Sequence, residues 1–395
     1  MDKRTANYDI VIVGAGPAGS SAAIRLVNSG KDVFLVDKAR FPRPKLCGEF
    51  VSPECLDHLA DLGVMPQVNL RRPQHISKTV FYSTGGRSFS VASRWLAQNS
   101  NDSIGLSRQA LDQLLLNRAV ECGTLVETDV TVLDVAIPNR SRVQLTLRAI
   151  DGSIQYVNAS LVVDATGRGR YVARRFDAQI NGLKPKQVAF KAHLRGAAID
   201  PGTCEIFSFP GGYGGCSPVE DGLFNLCFVV DAGLVRSIGS DPLKIVDETV
   251  LKNTRAASVL RNIAVEGDWI SVPIARYGSL DPAPAPGVLA IGDAAAFIDP
   301  FTGSGIAMAL ESSRIASDAI LRSKVPETIA TEYRRSHTIA FRKRLMVCRG
   351  LRFLSSSPKL ADVALAVLAR SAPLGRYIAR LTRTSTSIKE LHAAE

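Results

Sequence analysis

A single run of residues near the start of the chain, Gly14-Ala15-Gly16-Pro17-Ala18-Gly19, constrains the fold more than any other feature. It stands between a short apolar run at 8–13 (YDIVIV) and a segment at 20–29 whose Ala22, Ala23, Leu26 and Val27 recur at helical spacing. Gly30 stands where a helix end takes a left-handed residue. Residues 31–37 (KDVFLVD) then read as a second buried strand. Strand, GxGxxG turn, helix and strand thus follow one another as the opening of a parallel sheet. In such a turn Gly14 permits the tight bend, Gly16 lets backbone approach a pyrophosphate, and Gly19 lets helix and strand pack closely. Asp37, followed by Lys38, ends the second strand, where a carboxylate can accept both hydroxyls of a ribose. The chain therefore opens as a dinucleotide-binding unit.

Further along, 108–121 is an amphipathic helix carrying Leu111, Leu114, Leu115 and Val120. Residues 125–135, 161–163 and 288–291 read as strands of the same sheet. Between them, 80–91 and 186–230 alternate in polarity and carry turn residues such as Pro210, Gly211 and Gly212. That pattern predicts antiparallel sheet. The expected architecture is α/β (α+β overall): a Rossmann-type domain interrupted by an antiparallel β-sheet substrate domain, with a helical C-terminal segment. Residues 1–75, 101–185 and 276–322 would form the first domain, 76–100 and 186–275 the second, and 323–395 the helical segment.

A second glycine element, 292–313 (GDAAAFIDPFTGSGIAMALESS), decides which dinucleotide is expected. Gly292 and Asp293 follow a buried strand, so the Asp293 carboxylate can hold ribityl hydroxyls. Pro300, Gly303, Ser304, Gly305 and Ile306 then lead into a helix whose first N–H groups and positive dipole end suit the negative N1–C2=O edge of a reduced isoalloxazine. The cofactor expected from this pair of elements is FAD, bound non-covalently.

With GAGPAG and Asp37, Ser107-Arg108 with Leu111-Asp112, VVDATGR at 162–168 and the GD…PFTGxGI element in order, the chain resembles the flavoprotein monooxygenase superfamily of the p-hydroxybenzoate hydroxylase fold. The nearer likeness is to its geranylgeranyl-reductase-like and flavin-halogenase-like branches. The resemblance implies that Arg108 contacts the phosphate and ribose region of FAD and that Val132 offers backbone to adenine. The stretch 40–54 (RFPRPKLCGEFVSPE) resembles the one this branch lays beside the flavin, which adds Arg43, Lys45, Cys47, Gly48 and Glu49. Among these, Glu49 and Lys45, with Tyr213 of the β-domain, are the candidates for catalysis; Cys47 reads as a packing thiol. No metal is expected. His193, on a β-domain strand, reads as a satisfied histidine rather than a substrate contact.

Two departures shape the expected activity. The halogenase tryptophan element is replaced by YGGCSP at 213–218, with Tyr213 and Gly215 at the tryptophan positions, and the flanks of Lys78 do not match the halogenase lysine. Halogenation is therefore not expected. There is no second GxGxxG, so NAD(P)H is expected only as a transient reductant. The leading expectation is an FAD-dependent monooxygenase that hydroxylates or epoxidises an aromatic or polyunsaturated substrate, of secondary or lipid-like metabolism, with O2 activated on the flavin. The alternatives are a reductase of prenyl or enoyl double bonds and a non-catalytic flavin-bound electron relay.

Composition adds limits. With 46% hydrophobic and 22% charged residues over 395 positions the chain suits a globular protein of two domains. No uncharged apolar run approaches the roughly 20 residues of a membrane span. The early strand leaves no room for a signal peptide. The seven cysteines are dispersed, without a CxxC pair, so reduced thiols and a cytoplasmic setting are expected. The net charge of +11 is concentrated: residues 322–395 hold 15 Lys and Arg against 5 Asp and Glu, leaving 33 against 32 elsewhere. Arg334, Arg335, Arg342, Lys343, Arg344, Arg349 and Arg352 lie on predicted helical segments with an apolar face of Ile339, Leu345, Leu351, Phe353 and Leu354. Two further helices, 359–370 and 374–381, carry Arg370, Arg376, Arg380 and Arg383 alongside their apolar residues. Two uses of this face stand open: a helical cap packed on the first domain with a solvated cationic side, or contact with an anionic partner, which would be a peripheral membrane surface, an acyl-carrier protein or an acidic amphiphilic substrate. The substrate itself is expected to be hydrophobic, free or carrier-bound. Nucleic acid is not expected, because the segment has few aromatics to interleave.

Overall fold

The computed structural model describes residues 6–97, 101–139, 142–177, 183–355 and 358–383, so the ends of the first domain and of the basic segment lie outside the described residues. The strand Ala6–Val13 pairs in parallel with Val33–Val36 on one side and Ile154–Asp164 on the other. Leu125–Glu127 extends the sheet beyond Val33–Val36, and Val288–Ala290 pairs in parallel with the end of Ile154–Asp164. Arg142–Arg148 and Thr131–Asn139 complete it as an antiparallel flap. Val13 stands in register with both Val36 and Asp164, and Asp164 with Ala290. The glycine turn, Asp37, the DATGR turn and the GD turn therefore emerge together from the carboxyl edge of the parallel strands, where open α/β sheets bind ligands.

Alternation along Ala6–Val13 serves two layers. Ile10 and Ile12 pack with Leu26, Leu111, Leu115 and Ile315 of the helices Pro17–Asn28, Arg108–Glu121 and Gly305–Arg322. Val11 and Val13 join Val132, Leu145 and Val157 on the opposite face. Arg108–Glu121 begins where Ser107 Oγ accepts the Ala110 N–H at 3.1 Å.

The second sheet runs in the order Ala264–Ile274, Gln187–Arg195, Phe224–Asp231, Gly212–Pro218, Thr203–Phe209, Lys78–Tyr82, Ser88–Ala92. It is antiparallel as expected except between Thr203–Phe209 and Lys78–Tyr82, which pair in parallel because a long connection separates them. The helices Ala232–Ile238, Pro242–Glu248 and Thr254–Val259 cover one face, around Phe207, Leu226 and Ile245. The sequence reading did not identify them, although each is capped by Asp231, Asp241 or Asn253. The other face, with Ala189, Tyr213 and Val229, meets Leu46, Tyr277, Phe297 and Phe301 of the first domain.

The C-terminal segment forms Pro326–Ser355, Pro358–Arg370 and Ala372–Leu381. Its inward face differs from the expected one. Ile329, Tyr333, His337, Phe341, Arg344 and Cys348 are buried, whereas Ile339, Phe353 and Leu354 are exposed. The burial follows a stripe at four- and three-residue steps through Tyr333 and Phe341, and it carries Arg344 into the interior with them. There Arg344 pairs with Glu54 at 2.6 Å, so it is no part of a cationic surface. Arg383 is buried as well.

Candidate active site

The glycine turn is built from three different constraints. Gly14 has φ +108°, and a Cβ there would overlap the Ala165 carbonyl; a Cβ on Gly19 would overlap the Gly14 carbonyl. Gly16 is otherwise. The nearest atoms to a Cβ there are guanidinium nitrogens of Arg108 and Arg43, each at 3.8 Å, across a cavity. The helix Pro17–Asn28 starts at this point with its N–H groups and positive dipole end toward the same space.

Charge around the turn is arranged in pairs that leave donors over. Arg108 forms a two-pronged bond to buried Asp112, at 2.7 and 2.8 Å. Arg43 lies 3.5 Å from Asp37 and 3.5 Å from Asp112, and its buried Nε and Nη1 lack hydrogen-bond partners. Buried donors without acceptors are costly. A pyrophosphate in the cavity supplies acceptors to them, so the residues present fit the dinucleotide. Asp37 serves partly as scaffold: it accepts the Ala15 N–H at 2.7 Å and the Ala39 N–H at 2.9 Å, while lining the cavity.

The cavity has a volume of about 730 Å³ and runs from Val132 and Lys38, past Gly16, Pro17 and Ala18, to Asp293 and the turn Pro300, Gly303, Gly305 and Ile306. That size suits a sizeable ligand. Lys45, Cys47, Gly48, Gly292 and Arg168 line its far end. Burial pushes the Lys45 ammonium down to about 8; Arg43, Arg108 and Arg168 add to this, and Asp293 opposes it. Burial likewise raises the Asp293 carboxyl, against the pull of Arg168, Arg108 and Lys45. The apolar wall here is Leu46, Phe50, Cys227, Phe297 and Ile298.

Three residues named for this site, Tyr213, Ser304 and Gly19, do not line the cavity. Tyr213 is buried and donates its hydroxyl to Asp299 at the head of the Pro300–Thr302 turn. It ties the β-sheet to that turn and is corrected from catalytic to structural. Ser304 also turns away, its hydroxyl accepting from Arg383 at 3.0 Å. Gly19 lies behind the cavity wall, under Gly14.

Glu49 borders the cavity, but its carboxylate is fully engaged. It takes the Lys191 ammonium, the His193 Nε2 at 2.6 Å and the Arg108 N–H at 2.8 Å, at a left-handed φ of 54°. Burial alone would raise its pKa, but the His193 hydrogen bond and the Lys191 charge outweigh it, and the carboxyl lies below its ordinary range. Glu49 is thus an anion joining the two domains. His193 is satisfied by it, as the sequence suggested. Lys191 was missed; its signal was a lone lysine among the apolar residues of QVAFKAHL. Arg168 was seen only as part of DATGR, yet it stands in the cavity, over the Phe297 ring at 5.1 Å. Asp164 of the same motif is spent on the Thr166, Val172 and Ala173 N–H groups at 2.7–3.0 Å. Cys47 accepts the Glu49 N–H at 3.3 Å and packs against the helical core.

At Gly215, one of the two positions matched to the halogenase tryptophans, a Cβ would lie 2.6 Å from Ile206 Cδ1, and one on neighbouring Gly214 would crowd Phe228. Lys78 is exposed and does not line the cavity. Among the described residues no group of three or more His, Cys, Asp or Glu could hold a metal, and no helix is long and apolar enough to cross a membrane.

A parallel sheet with a glycine turn, a second helix start and donors awaiting phosphate defines an FAD-binding flavoprotein. The chain belongs to the FAD binding domain family, whose model matches residues 7–317. It is 29% identical over 324 residues to digeranylgeranylglycerophospholipid reductase 2 of Methanopyrus kandleri, covering 79% of this chain and 76% of that one. In fold it is similar to a flavoprotein/dehydrogenase from Cytophaga hutchinsonii, with TM-score 0.82, 20% identity and coverage of 95% and 92%. A flavin-dependent brominase superposes with TM-score 0.74 at 21% identity, over 98% of this chain and 100% of that one. The protein is an FAD-dependent oxidoreductase.

Proposed function

We propose that the protein reduces carbon–carbon double bonds of an isoprenoid, lipid-like substrate. The observation that carries this reading is the make-up of the cavity: Lys45 lines it together with the apolar Leu46, Phe50, Phe297 and Ile298, and burial lowers its ammonium to about 8. Reduced FAD supplies two electrons and one hydrogen for such a bond; the second hydrogen is a proton, which Lys45 can deliver at its Nζ. The Asp293 charge favours the protonated form of Lys45. Arg43 and Arg108 secure the phosphates, and the wall of Leu46, Phe50, Phe297 and Ile298 excludes water and seats the hydrocarbon. The likeness to a digeranylgeranylglycerophospholipid reductase supports the same reading. NAD(P)H is proposed as a transient donor.

The test is anaerobic. Protein with chemically reduced FAD is mixed with a polyprenyl lipid, and return of the yellow flavin is followed with mass analysis of the product. Reoxidation with a product heavier by two hydrogens per double bond is expected, and Lys45→Met should slow it while keeping FAD. A product that forms only with O2 and carries an added oxygen overturns the reading in favour of oxygenation, the leading expectation from the sequence.

A further inference from the structure

A second cavity, of about 620 Å³, opens between the body and the long helix Pro326–Ser355. Its body side is Tyr277, Phe297, Ile298 and Asp299; its helix side includes Phe341, Leu345 and Met346. Phe297 and Ile298 also line the FAD cavity, so the two spaces share a wall. The buried part of the lining sets Ile298, Phe341 and Cys348 beside His337 and the Arg352-paired Asp299, and its exposed edge is cationic, where Arg342 and Arg349 stand.

The three arginines are not equivalent. Arg352 is committed: it covers the Tyr277 ring at 4.7 Å and lies 3.7 Å from Asp299. Arg342 and Arg349 are exposed, and no carboxylate among the described residues is paired with either. Seven positions apart, they sit two turns apart on one helix face, separated by roughly 10 Å. Burial of an apolar chain in the depth and neutralisation of these guanidiniums are two separate gains. One occupant takes both.

We propose that this cavity is a second binding site, for an anionic amphiphile. Its phosphate or carboxylate head is held by Arg342 and Arg349, and its hydrocarbon part lies on Phe297, Ile298, Phe341 and Leu345. The head receives charge-assisted hydrogen bonds from the planar guanidiniums. The body displaces water from a space of ligand size. The site is independent of the reaction assigned to the flavin, because it holds whether the shared wall borders a reductase or an oxygenase.

The experiment is calorimetric titration of the FAD-loaded protein with dodecyl phosphate, dodecyl maltoside and inorganic phosphate, all below micelle formation. One site is expected for dodecyl phosphate, at least about tenfold tighter than for either comparison compound. Added salt should erode that margin. The double variant Arg342→Gln/Arg349→Gln should bring dodecyl phosphate down to the level of the maltoside. Leu345→Trp, which fills the depth, should abolish binding of both detergents; the flavin spectrum confirms that each variant is folded and loaded. Equal binding of the two detergents shows an apolar groove alone and overturns the proposal. So does phosphate binding as tightly as dodecyl phosphate, or indifference to the arginine substitutions.

Discussion

Replacing Asp37 with asparagine tests how the glycine turn is held open for FAD. The carboxylate is only 7% exposed and accepts two backbone N–H groups, from Ala15 at 2.7 Å and Ala39 at 2.9 Å. Arg43 lies 3.5 Å away, between Asp37 and Asp112. Asparagine keeps the shape but offers one acceptor oxygen. Its amide nitrogen then faces a backbone donor, so one charge-assisted bond is lost and Arg43 loses part of its counter-charge. A bond of that kind contributes about 1.5–3 kcal/mol. Ala15 belongs to the turn itself, so the loss falls on the conformation that receives the pyrophosphate. At about 1.4 kcal/mol per factor of ten, Asp37→Asn should weaken FAD roughly 10- to 150-fold. The assay is titration of apoprotein with FAD, following the quenching of flavin fluorescence. An affinity equal to that of the parent protein refutes the reasoning and shows that Asp37 is dispensable to the turn.

Gly16→Val should leave the apoprotein folded, since a Cβ there meets only the tips of Arg43 and Arg108, yet give a colourless protein; retained FAD would show that the phosphates lie elsewhere. His337 is 2% exposed, and burial pushes its pKa from 6.5 to about 4. Folding therefore keeps it neutral while the unfolded chain takes up a proton below pH 6.5, so stability falls from there down to about pH 4, by on the order of 3 kcal/mol. Thermal melts at descending pH should show this fall, reduced in His337→Phe; an equal fall in the variant would assign it to other groups. Arg383 donates to the Thr302 carbonyl at 2.9 Å and to Ser304 Oγ at 3.0 Å, beside the helix start that lines the cavity. Arg383→Met should weaken FAD and lower its reduction potential, and an unchanged potential would confine the residue to capping.

What could be read from the sequence divides along a physical line. The parallel sheet, its glycine turn and the helix Gly305–Arg322 were legible because each is local: a period, a turn residue and a cap within a few positions. The same locality singled out Gly14, Gly16, Asp37 and Asp293, which line the cavity, whereas Arg108 rested on the family resemblance. The failures concern partners remote in sequence. Glu49 stood open between acid/base work and ordinary hydrogen bonding, because its partners, Lys191 and His193, lie more than 140 positions away on a β-domain strand. Tyr213 looked available because Asp299 is 86 positions off. The basic tail shows the limit most clearly. Helical spacing alone allows several rotations of Pro326–Ser355, and the reading chose the one with the larger aliphatic residues inside. The body selects another, because it offers the Ala290 carbonyl to the Tyr333 hydroxyl at 2.7 Å and Glu54 to Arg344 at 2.6 Å. Once two polar anchors fix a helix, its apolar residues follow, and Ile339, Met346 and Phe353 are turned outward beside Arg342 and Arg349. The cationic rim of the second cavity is thus a consequence of where Glu54 and Ala290 sit.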